Sequence, residues 1–398
     1  MTLKRKFHDS EDSKELRKYT PMASPSFAKG LSQDTDPTHS HNIPAYFVNL
    51  LDVSGQDSTS NIELRFDEIA KEILHHLLLV LRNVNGTVTT FEVLELEFYF
   101  WMADVHEDPF THGAPEQARS GNWYFHRAPQ KSNDPGKSSA IVTTGYRGGT
   151  RKGLDITFGP SLDITSPYFS PPPLKETPIP SNRGGILLRT LRNTSTGRVI
   201  SGPSLVVDEI LKFSWVTSIS DLVTKQWRGD ISAFRKNAHS APNTSVLRFE
   251  GKDETEIQAV RIYQSPRIGL GLSHPSVSPS FDNPRVVFLS KPYRYFIHPE
   301  LLTSNGRPQT FLGILSSLKA ASLLDKLERK KLIDDICDKS GMKTHTVAKY
   351  LEYYSSEHGC SNLKSFIGSA SKDSPSNYLR LMGILWDERS RSVKNTVD

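Results

Sequence analysis

The chain has 398 residues, 36% of them hydrophobic, with a mean hydropathy of −0.44 and a formal net charge of +5. This length is enough for two domains and a large buried core, and the charge permits a nucleic-acid partner without arguing for one. The two cysteines, Cys337 and Cys360, form no C-x-x-C pair. Their number and spacing argue against a disulfide framework or a thiolate metal site and favour a reducing compartment.

Residues 1 to about 60 are rich in Ser, Asp, Pro and Lys and have no sustained period, so we predict a mostly disordered tail. The charged N-terminus lacks the apolar region of a secretory signal. The longest apolar run, Ile73 to Leu81, is too short to span a bilayer, so no membrane partner is expected. Basic residues at 4–6 and 17–18 fit a bipartite nuclear-import signal, with a solvated basic tail as the plainer alternative.

A helix is predicted from an N-cap at Asp67 to about Leu81, because apolar residues recur at helical spacing: Ile69, Ile73, Leu77 and Val80. Asn85-Gly86 then signals a turn. Strand-like runs follow at 87–101, 154–158, 185–191, 259–263, 268–272 and 285–289. Strands with few helices between long polar loops predict an α+β domain built on a mixed sheet.

From Thr310 onward the pattern becomes helical and charged through Tyr354, with a last possible helix at Asn377–Asp387. We therefore predict three parts: a tail over 1–60, a central α+β domain over 61–300, and a helical C-terminal extension over 301–398.

The most informative stretch is Phe91–Phe100, which alternates with period two. One face is apolar, and the other carries Val93, Glu95, Glu97 and Tyr99. Two carboxylates at this spacing lie about 7 Å apart on a strand. If partly buried, their repulsion and desolvation raise a pKa, which suits a general base. A half-exposed strand with solvated glutamates is the structural alternative.

Six short motifs lie in order along the chain, the first of them within this strand. They are Glu95-Leu-Glu97-Phe-Tyr99, His112, Leu187-Leu-Arg189, Ser201-Gly-Pro-Ser-Leu205, Arg267-Ile-Gly269 and Pro292-Tyr-Arg-Tyr295. Six motifs in this order resemble the alkyladenine (3-methyladenine) DNA glycosylases over residues 65 to 298. That family shows a Glu-Thr-Glu-Ala-Tyr strand, a downstream His, an apolar strand ending in Leu-Ile/Leu-Arg-Ala, a Ser-Gly-Pro-x-x-Leu helix start, an Arg-Ile/Val-Gly strand and a Pro-x-Arg-Phe segment.

The resemblance implies a single α+β catalytic domain, of the type also found at the C-terminus of formyltransferases. It implies a monofunctional N-glycosylase, with no metal and no cofactor. Glu97 matches the acid that activates water, and Arg189 matches the arginine that helps to hold this water near the scissile bond. The alternative for Arg189 is a structural ion pair with Glu95.

The resemblance also assigns the contacts to the extruded base. Tyr99 matches a stacking wall, and His112 a histidine that contacts the base or sugar. Tyr124, within Trp123–His126, is the candidate second wall. Asp155 falls near the family's asparagine, which discriminates against the exocyclic amine of guanine, so this acidic residue departs from the pattern. Tyr146 and Arg147 are candidates for the side chains that wedge into the duplex.

Residues 332–351 resemble a helix-turn-helix, with Gly341 in the turn and Val347 and Leu351 anchoring the second helix. Lys343 and Lys349 are then expected to face DNA, although an ordinary helical hairpin is an equal alternative. The expected partner is double-stranded DNA with damaged purines, bound by a monomer in the nucleus.

The leading prediction is therefore a hydrolase that removes alkylated or otherwise damaged purines from DNA after base flipping. Two alternatives stay open at this stage. One is a catalytically inactive nucleic-acid-binding protein on the same scaffold. The other is a hydrolase of free nucleosides, since one glutamate and one arginine also serve that reaction.

Overall fold

A computed structural model describes the chain between residues 45 and 395. The described ranges are 45–128, 145–159, 182–234, 244–257, 259–275, 277–302, 305–318, 326–357, 360, 362–368 and 374–395. Within them the chain from residue 41 onward belongs to one compact unit. The basic clusters near the N-terminus lie outside the described residues, as do most of the two long loops that precede Leu154 and Asn182.

The described strands form one sheet whose strand pairs are all antiparallel, so the mixed sheet expected from the sequence is wrong in this respect. The main path runs β4-β5-β6-β2-β1-β8, and the short β3, β7, β9 and β10 pair at its flanks. The strands are β1 Leu77–Arg82, β2 Val88–Met102, β3 His106–Glu107, β4 Trp123–Phe125, β5 Leu154–Phe158, β6 Asn182–Asn193, β7 Val199–Ser201, β8 Val246–Gly251, β9 Tyr263–Ser265 and β10 Arg294–Phe296.

Along the chain, helices come before the first strand, between strands and after the last strand. The architecture is therefore α+β as expected, with more helix than the sequence predicted. The α-helices are α1 Ala45–Leu50, α2 Thr59–Lys71, α3 Pro203–Phe213, α4 Ile219–Asp221, α5 Pro284–Leu289, α6 Arg307–Ser317, α7 Lys326–Ser340, α8 Thr344–Ser355 and α9 Pro375–Asn395. Among the described residues, no helix has the length and apolar content needed to traverse a bilayer.

The first long helix starts earlier than predicted. Ser58, not Asp67, is the N-cap of α2, and its side chain accepts a hydrogen bond from the Asn61 backbone N–H. The helical period already holds at Ile62 and Phe66, which are buried with Ile69. The predicted helix also runs too far, because the leucine-rich segment from Leu77 pairs with two strands and is extended.

The start of the described chain also differs from the prediction of a tail through residue 60. Ala45–Leu50 is helical, and Phe47, Leu51 and Val53 are fully buried. The Val53 backbone N–H donates to the Gly159 carbonyl at 2.9 Å. A few apolar side chains within a polar segment are therefore enough to attach it to the core.

Strand β2 lies inside the sheet, between β6 and β1, and has the apolar face that the alternation predicted. Residues 91–102 of this strand pair with β6, with a bulge near Glu95. Its apolar face carries Leu94, Leu96, Phe98 and Phe100, all fully buried. Phe66 of α2 stacks on Phe98 with ring centroids 4.4 Å apart. This packing fixes the strand, so the side chains on its other face project in defined directions.

Three of the predicted strands are wrong in extent or type. Only Tyr263 of the run 259–263 is in a strand, and Ile268 is followed by a turn in which Gly269 has φ of 78°. The run 285–289 is helical instead. The reason is the preceding Asn283-Pro284, where the Asn283 side chain caps the helix and Pro284 occupies its first turn.

The C-terminal segment is helical, and the predicted helix pair forms around its predicted turn. Helix α7 ends at Ser340, Gly341 has φ of 65°, and α8 begins at Thr344. Ile336, Val347 and Leu351 are fully buried, as expected for the inner face of such a pair. The last helix is longer than expected, since it spans Pro375–Asn395 instead of 377–387.

Candidate active site

Glu97 on β2 is fully buried on the polar face of the sheet and accepts three hydrogen bonds. The Ile268 backbone N–H donates to Oε1 at 2.7 Å. The Tyr99 hydroxyl donates to Oε2 at 2.9 Å, and Arg189 Nη1 donates to the same oxygen at 3.2 Å. The carboxylate is therefore held by Tyr99 of its own strand, by Arg189 of the neighbouring strand β6, and by the Ile268 backbone N–H in the loop after β9. Its two oxygens offer about four acceptor positions, so one is left for a further donor.

Glu95, two residues earlier, also accepts three hydrogen bonds from the described residues, all of them from side chains. Arg294 Nε donates to it at 2.6 Å, Arg189 Nε at 3.2 Å and the Thr190 hydroxyl at 2.5 Å. Burial raises the pKa of this carboxyl, but Arg294, Arg189 and Thr190 outweigh burial and lower it overall. The predicted raised pKa is therefore wrong for Glu95, because arginines remote in sequence neutralise it.

Arg189 on β6 lies between the two glutamates and is itself buried. Burial alone would lower the pKa of its guanidinium. The carboxylates of Glu97 and Glu95 have the larger effect, so the pKa is raised overall. The alternative in which Arg189 pairs only with Glu95 is therefore incomplete, since its guanidinium contacts both Glu95 and Glu97.

The register of the sheet aligns Glu97 with other predicted site residues. Glu97 pairs with Leu187 of β6, Leu187 with Asp155 of β5, and Asp155 with Tyr124 of β4. Residues paired across antiparallel strands point to the same face. The predicted acid Glu97 and two of the predicted base contacts, Asp155 and Tyr124, therefore form one row on this face. Leu187 lies in the row between Glu97 and Asp155.

Asp155 forms a pair with a neighbouring histidine. His126 Nε2 lies 3.0 Å from Asp155 Oδ1, and Asp155 is 3% exposed. Gly185 beside it has no side chain, and a Cβ there would lie 2.5 Å from Asp155 Oδ2. The carboxyl group of Asp155 thus lies over Gly185, in the direction of β2.

His112 and Tyr124 lie at the same end of the row. His112 Nδ1 is hydrogen-bonded to the Tyr124 hydroxyl at 3.1 Å, and the ring centroids of His112 and His126 are 4.9 Å apart. Burial, with the charge of His126, lowers the pKa of His112 to about 4. Burial and the charge of Asp155 raise the pKa of Tyr124. Both rings are therefore neutral near pH 7.

Tyr99 is half-buried and held from two sides. Its hydroxyl donates to Glu97, and the guanidinium carbon of Arg267 lies 4.4 Å from its ring centroid. Arg267 is fixed in turn by Asp108 through a fully buried ion pair, with Nη1 2.5 Å from Oδ2. Burial and the Glu97 charge raise the pKa of Tyr99. One face of this ring is thus occupied by a cation within the protein.

Several residues that support this face have no predicted role. Arg294, Arg267 and His126 lie inside the short segments named above and Asp108 lies outside them, and their partners are distant in the chain. Arg294 and Glu95, for example, are separated by 199 positions. A buried charge without a local partner was the available signal.

The structure places Tyr146 and Arg147 against the body of the protein. The Tyr146 ring lies 3.9 Å from the guanidinium carbon of Arg127 and packs edge-on against Phe125. Arg147 Nε donates to the Arg127 carbonyl at 2.7 Å. Both side chains therefore contact the segment that contains β4, and their role as a wedge stays a prediction.

Lys343 and Lys349 are exposed at the N-terminal half of α8. Lys343 is its N-cap residue, with extended φ and ψ, and Lys349 lies in its second turn. Both side chains are therefore free to meet a phosphate backbone.

The described part of the chain contains no group of three or more His, Cys, Asp or Glu side chains that could hold a metal ion. A surface depression of about 310 Å³ lies apart from the row, lined by Thr59, Asp104, Val105, Glu107, Val287, Phe288 and Lys291. It contains none of the buried acid and arginine groups, so the polar face of the sheet remains the chemically better site.

No family model matches the chain. The chain is 29% identical over 205 residues to an uncharacterized protein, L759, of Acanthamoeba polyphaga mimivirus. The match covers 52% of this chain and 78% of the viral protein. That name assigns no activity to the viral protein.

Proposed function

We propose that this protein is a DNA glycosylase that hydrolyses the N-glycosidic bond of alkylated or otherwise damaged purines after base flipping. The observation that supports this most is the shared sheet face. It carries a buried acid, Glu97, bound to an arginine, Arg189, in the same row as the Asp155–Tyr124 group. An acid, a charge that orients it, and aromatic and polar groups for a base are the parts that such a hydrolysis needs.

The spacing of the sheet suits a planar base. Strands β2 and β5 are separated by β6, so their backbones lie about 10 Å apart. Gly185 of β6 has no side chain and Leu187 has only an aliphatic one, so the surface between the side chains of β2 and β5 is shallow. A base inside a duplex cannot reach such a surface, so the nucleotide must leave the stack at a cost of a few kcal/mol.

Glu97 then acts as the general base. A water molecule donates a proton to the remaining acceptor position of the carboxylate while its oxygen attacks the sugar C1′. The C1′–N bond breaks, and its electron pair stays on the purine, which neutralises the positive charge of an alkylated base. Glu97 also stabilises the oxocarbenium character of the sugar, and Arg189 keeps the carboxylate oriented.

Aromatic groups offset part of the flipping cost. Stacking on an aromatic side chain contributes about 1–3 kcal/mol per base, and electron-rich rings attract cationic purines. Tyr99 and His112 border the row and are only half-buried. The low pKa of His112 keeps its ring uncharged at neutral pH, so it does not repel a cationic base.

Binding to the duplex itself is assigned to other surfaces. Lys343 and Lys349 are exposed on α8, and phosphate contacts from them would add affinity without reading the sequence. A monomeric protein that acts on damaged double-stranded DNA in the nucleus completes the proposal.

The decisive experiment is an excision assay on duplexes that contain 3-methyladenine, ethenoadenine or hypoxanthine. Wild-type protein should produce abasic sites, which alkali converts to strand breaks. A Glu97→Gln variant should bind these duplexes and leave them intact. Glu92→Gln is the matched control, because Glu92 lies on the same strand and pairs with Arg192 and Lys252 instead.

The outcomes separate the proposed enzyme from its rivals. Binding without abasic sites in wild-type protein would point to a non-enzymatic nucleic-acid-binding protein. Turnover of free nucleosides alone would point to a nucleoside hydrolase. Equal activity of wild-type protein and Glu97→Gln would remove Glu97 from the mechanism.

A further inference from the structure

Arg294 on β10 connects the buried glutamates to the C-terminal helices. Its guanidinium is fully buried and donates hydrogen bonds to three side chains. Nε donates to Glu95 Oε1 at 2.6 Å, and Nη1 donates to the Ser265 hydroxyl at 3.0 Å. Nη2 donates to the Thr310 hydroxyl, also at 3.0 Å. Because Thr310 lies on α6, the extension predicted from residue 301 contributes a side chain to the charged network of the sheet.

Helix α6 is packed closely against the sheet, which fixes the position of Thr310. A Cβ at Gly313 would lie 2.8 Å from the Phe296 ring, so the absence of a side chain there lets the helix approach β10. Phe311 packs edge-on against Tyr350 of α8, with ring centroids 5.6 Å apart. Thr310 itself is fully buried. Its hydroxyl is therefore a preorganised acceptor for Arg294.

The position of Arg294 decides how the charge of Glu95 is neutralised. Glu95 Oε1 accepts from Arg294 at 2.6 Å and from Arg189 at 3.2 Å, so Arg294 is the closer cation. Arg189 also donates Nη1 to Glu97 Oε2 at 3.2 Å. If Arg294 turned away, Arg189 would have to neutralise Glu95 alone. Its guanidinium would then be drawn away from Glu97, and the carboxylate of Glu97 would lose its orientation.

We infer that Thr310 is a positioning residue for the proposed hydrolysis, supplied by the C-terminal helices. Its hydroxyl holds Arg294 on Glu95. Arg189 is thereby left to orient the Glu97 carboxylate towards the attacking water. Four hydrogen bonds in series join Thr310 to Glu97, so it acts through the arginines and not on the base or the water. The inference rests on the proposed glycosylase function and adds a residue to the same site.

Single-turnover excision at several protein concentrations tests this inference, on whichever of the three damaged duplexes wild-type protein excises fastest. Thr310→Val removes the hydroxyl and nearly keeps the side-chain volume. Its maximal rate should fall by about 10- to 100-fold, because a misplacement of about 1 Å costs up to about 10²-fold. The protein concentration that gives half of the maximal rate should not change, since no contact to DNA is removed. Thr310→Ser keeps the hydroxyl and should restore the wild-type rate.

This pair of quantities separates positioning from stability. A variant that is merely less stable has fewer folded molecules, so it needs more protein for the half-maximal rate but reaches the wild-type maximum. Thr59→Val is the matched control, because the Thr59 hydroxyl donates to the Val105 carbonyl at 2.8 Å, outside the network. Its maximal rate should equal that of wild type. If Thr310→Val fails to fold, Thr310→Ala removes the same hydroxyl from a smaller side chain and is measured in the same way.

The results that would overturn this inference differ from those that would overturn the proposed function. A wild-type maximal rate in Thr310→Val, or an equal loss of rate in Thr310→Ser, would remove the hydroxyl from the mechanism. A change in the half-maximal concentration alone would show that Thr310 is only structural. Both results would leave the glycosylase proposal intact. Absence of abasic sites in every damaged duplex treated with wild-type protein would overturn the proposed function, and the role of Thr310 with it.

Discussion

Arg189 binds Glu95 and Glu97 with one guanidinium, through Nε at 3.2 Å from Glu95 Oε1 and Nη1 at 3.2 Å from Glu97 Oε2. It therefore holds two buried carboxylates on one face against their mutual repulsion. The two acids differ in their other partners. Glu95 also accepts from Arg294 and Thr190 side chains, whereas Glu97 accepts from a backbone N–H and a tyrosine hydroxyl. We infer that Glu95 anchors the arginines and that Glu97 is the reactive acid.

Exchanging each acid for its amide should separate these roles. Glu95→Gln leaves Arg294 and Arg189 partly uncompensated inside the protein, so we expect the free energy of unfolding to fall by about 3 kcal/mol or more. Glu97→Gln should slow excision by about 10²- to 10⁴-fold, the usual contribution of a general base. Urea unfolding and single-turnover excision measure the two effects. A Glu95→Gln protein as stable as wild type would contradict this division.

The low pKa of His112 predicts a stability that depends on pH. The folded-state pKa is about 4, below the ordinary 6.5, so the unfolded chain takes up a proton at a higher pH than the folded chain does. His112 therefore contributes its full stability above pH 6.5 and loses it as pH falls from 6.5 to 4. From the shift, the difference is at most about 3 kcal/mol.

A His112→Gln variant isolates this contribution. The unfolding free energies of wild type and variant are compared across that range, so the other histidines cancel. The gap between them should shrink as the pH falls. A gap that is independent of pH would show that His112 is not held neutral in the folded protein.

The sequence predicted the two faces of β2 better than the elements around this strand. Alternation was enough to place Glu97 and Tyr99 on one face of a strand, because a period of two depends only on local geometry. Helix α5 was missed because a short apolar run fits a strand equally well, and only Asn283-Pro284 favours a helix. The predicted direction of the pKa shift of Glu95 was wrong, because Glu95 is paired with Arg294. The two residues are separated by 199 positions, so no local pattern reveals the pair.

Lys343 and Lys349 should contribute to DNA affinity through charge alone. Replacing both by Gln should weaken binding equally for damaged and undamaged duplexes. Each lost phosphate contact should also reduce the slope of log K against log salt concentration by about 0.9. Fluorescence anisotropy at several salt concentrations measures both quantities. An unchanged slope would remove α8 from the DNA interface, while the catalytic proposal for Glu97 would stand.

The adjacent glycines of β6 offer a last test, because they face opposite sides of the same strand. A Cβ at Gly184 would lie 2.7 Å from the Phe158 ring, in the core, and one at Gly185 would lie 2.5 Å from Asp155 Oδ2, on the proposed site. Gly184→Ala should therefore cost about 1–3 kcal/mol of stability through overpacking. Gly185→Ala should instead displace the Asp155 carboxylate.

The expected signature of Gly185→Ala is slower excision of damaged purines, with a smaller loss of stability than in Gly184→Ala. Thermal unfolding and single-turnover excision from a damaged duplex measure the two properties on the same pair of proteins. If Gly185→Ala excised damaged purines as fast as wild type, the space over Gly185 would not be where the base binds. In that case the row from Glu97 to Tyr124 would be a structural network of the sheet, because its members would share a face without sharing a ligand.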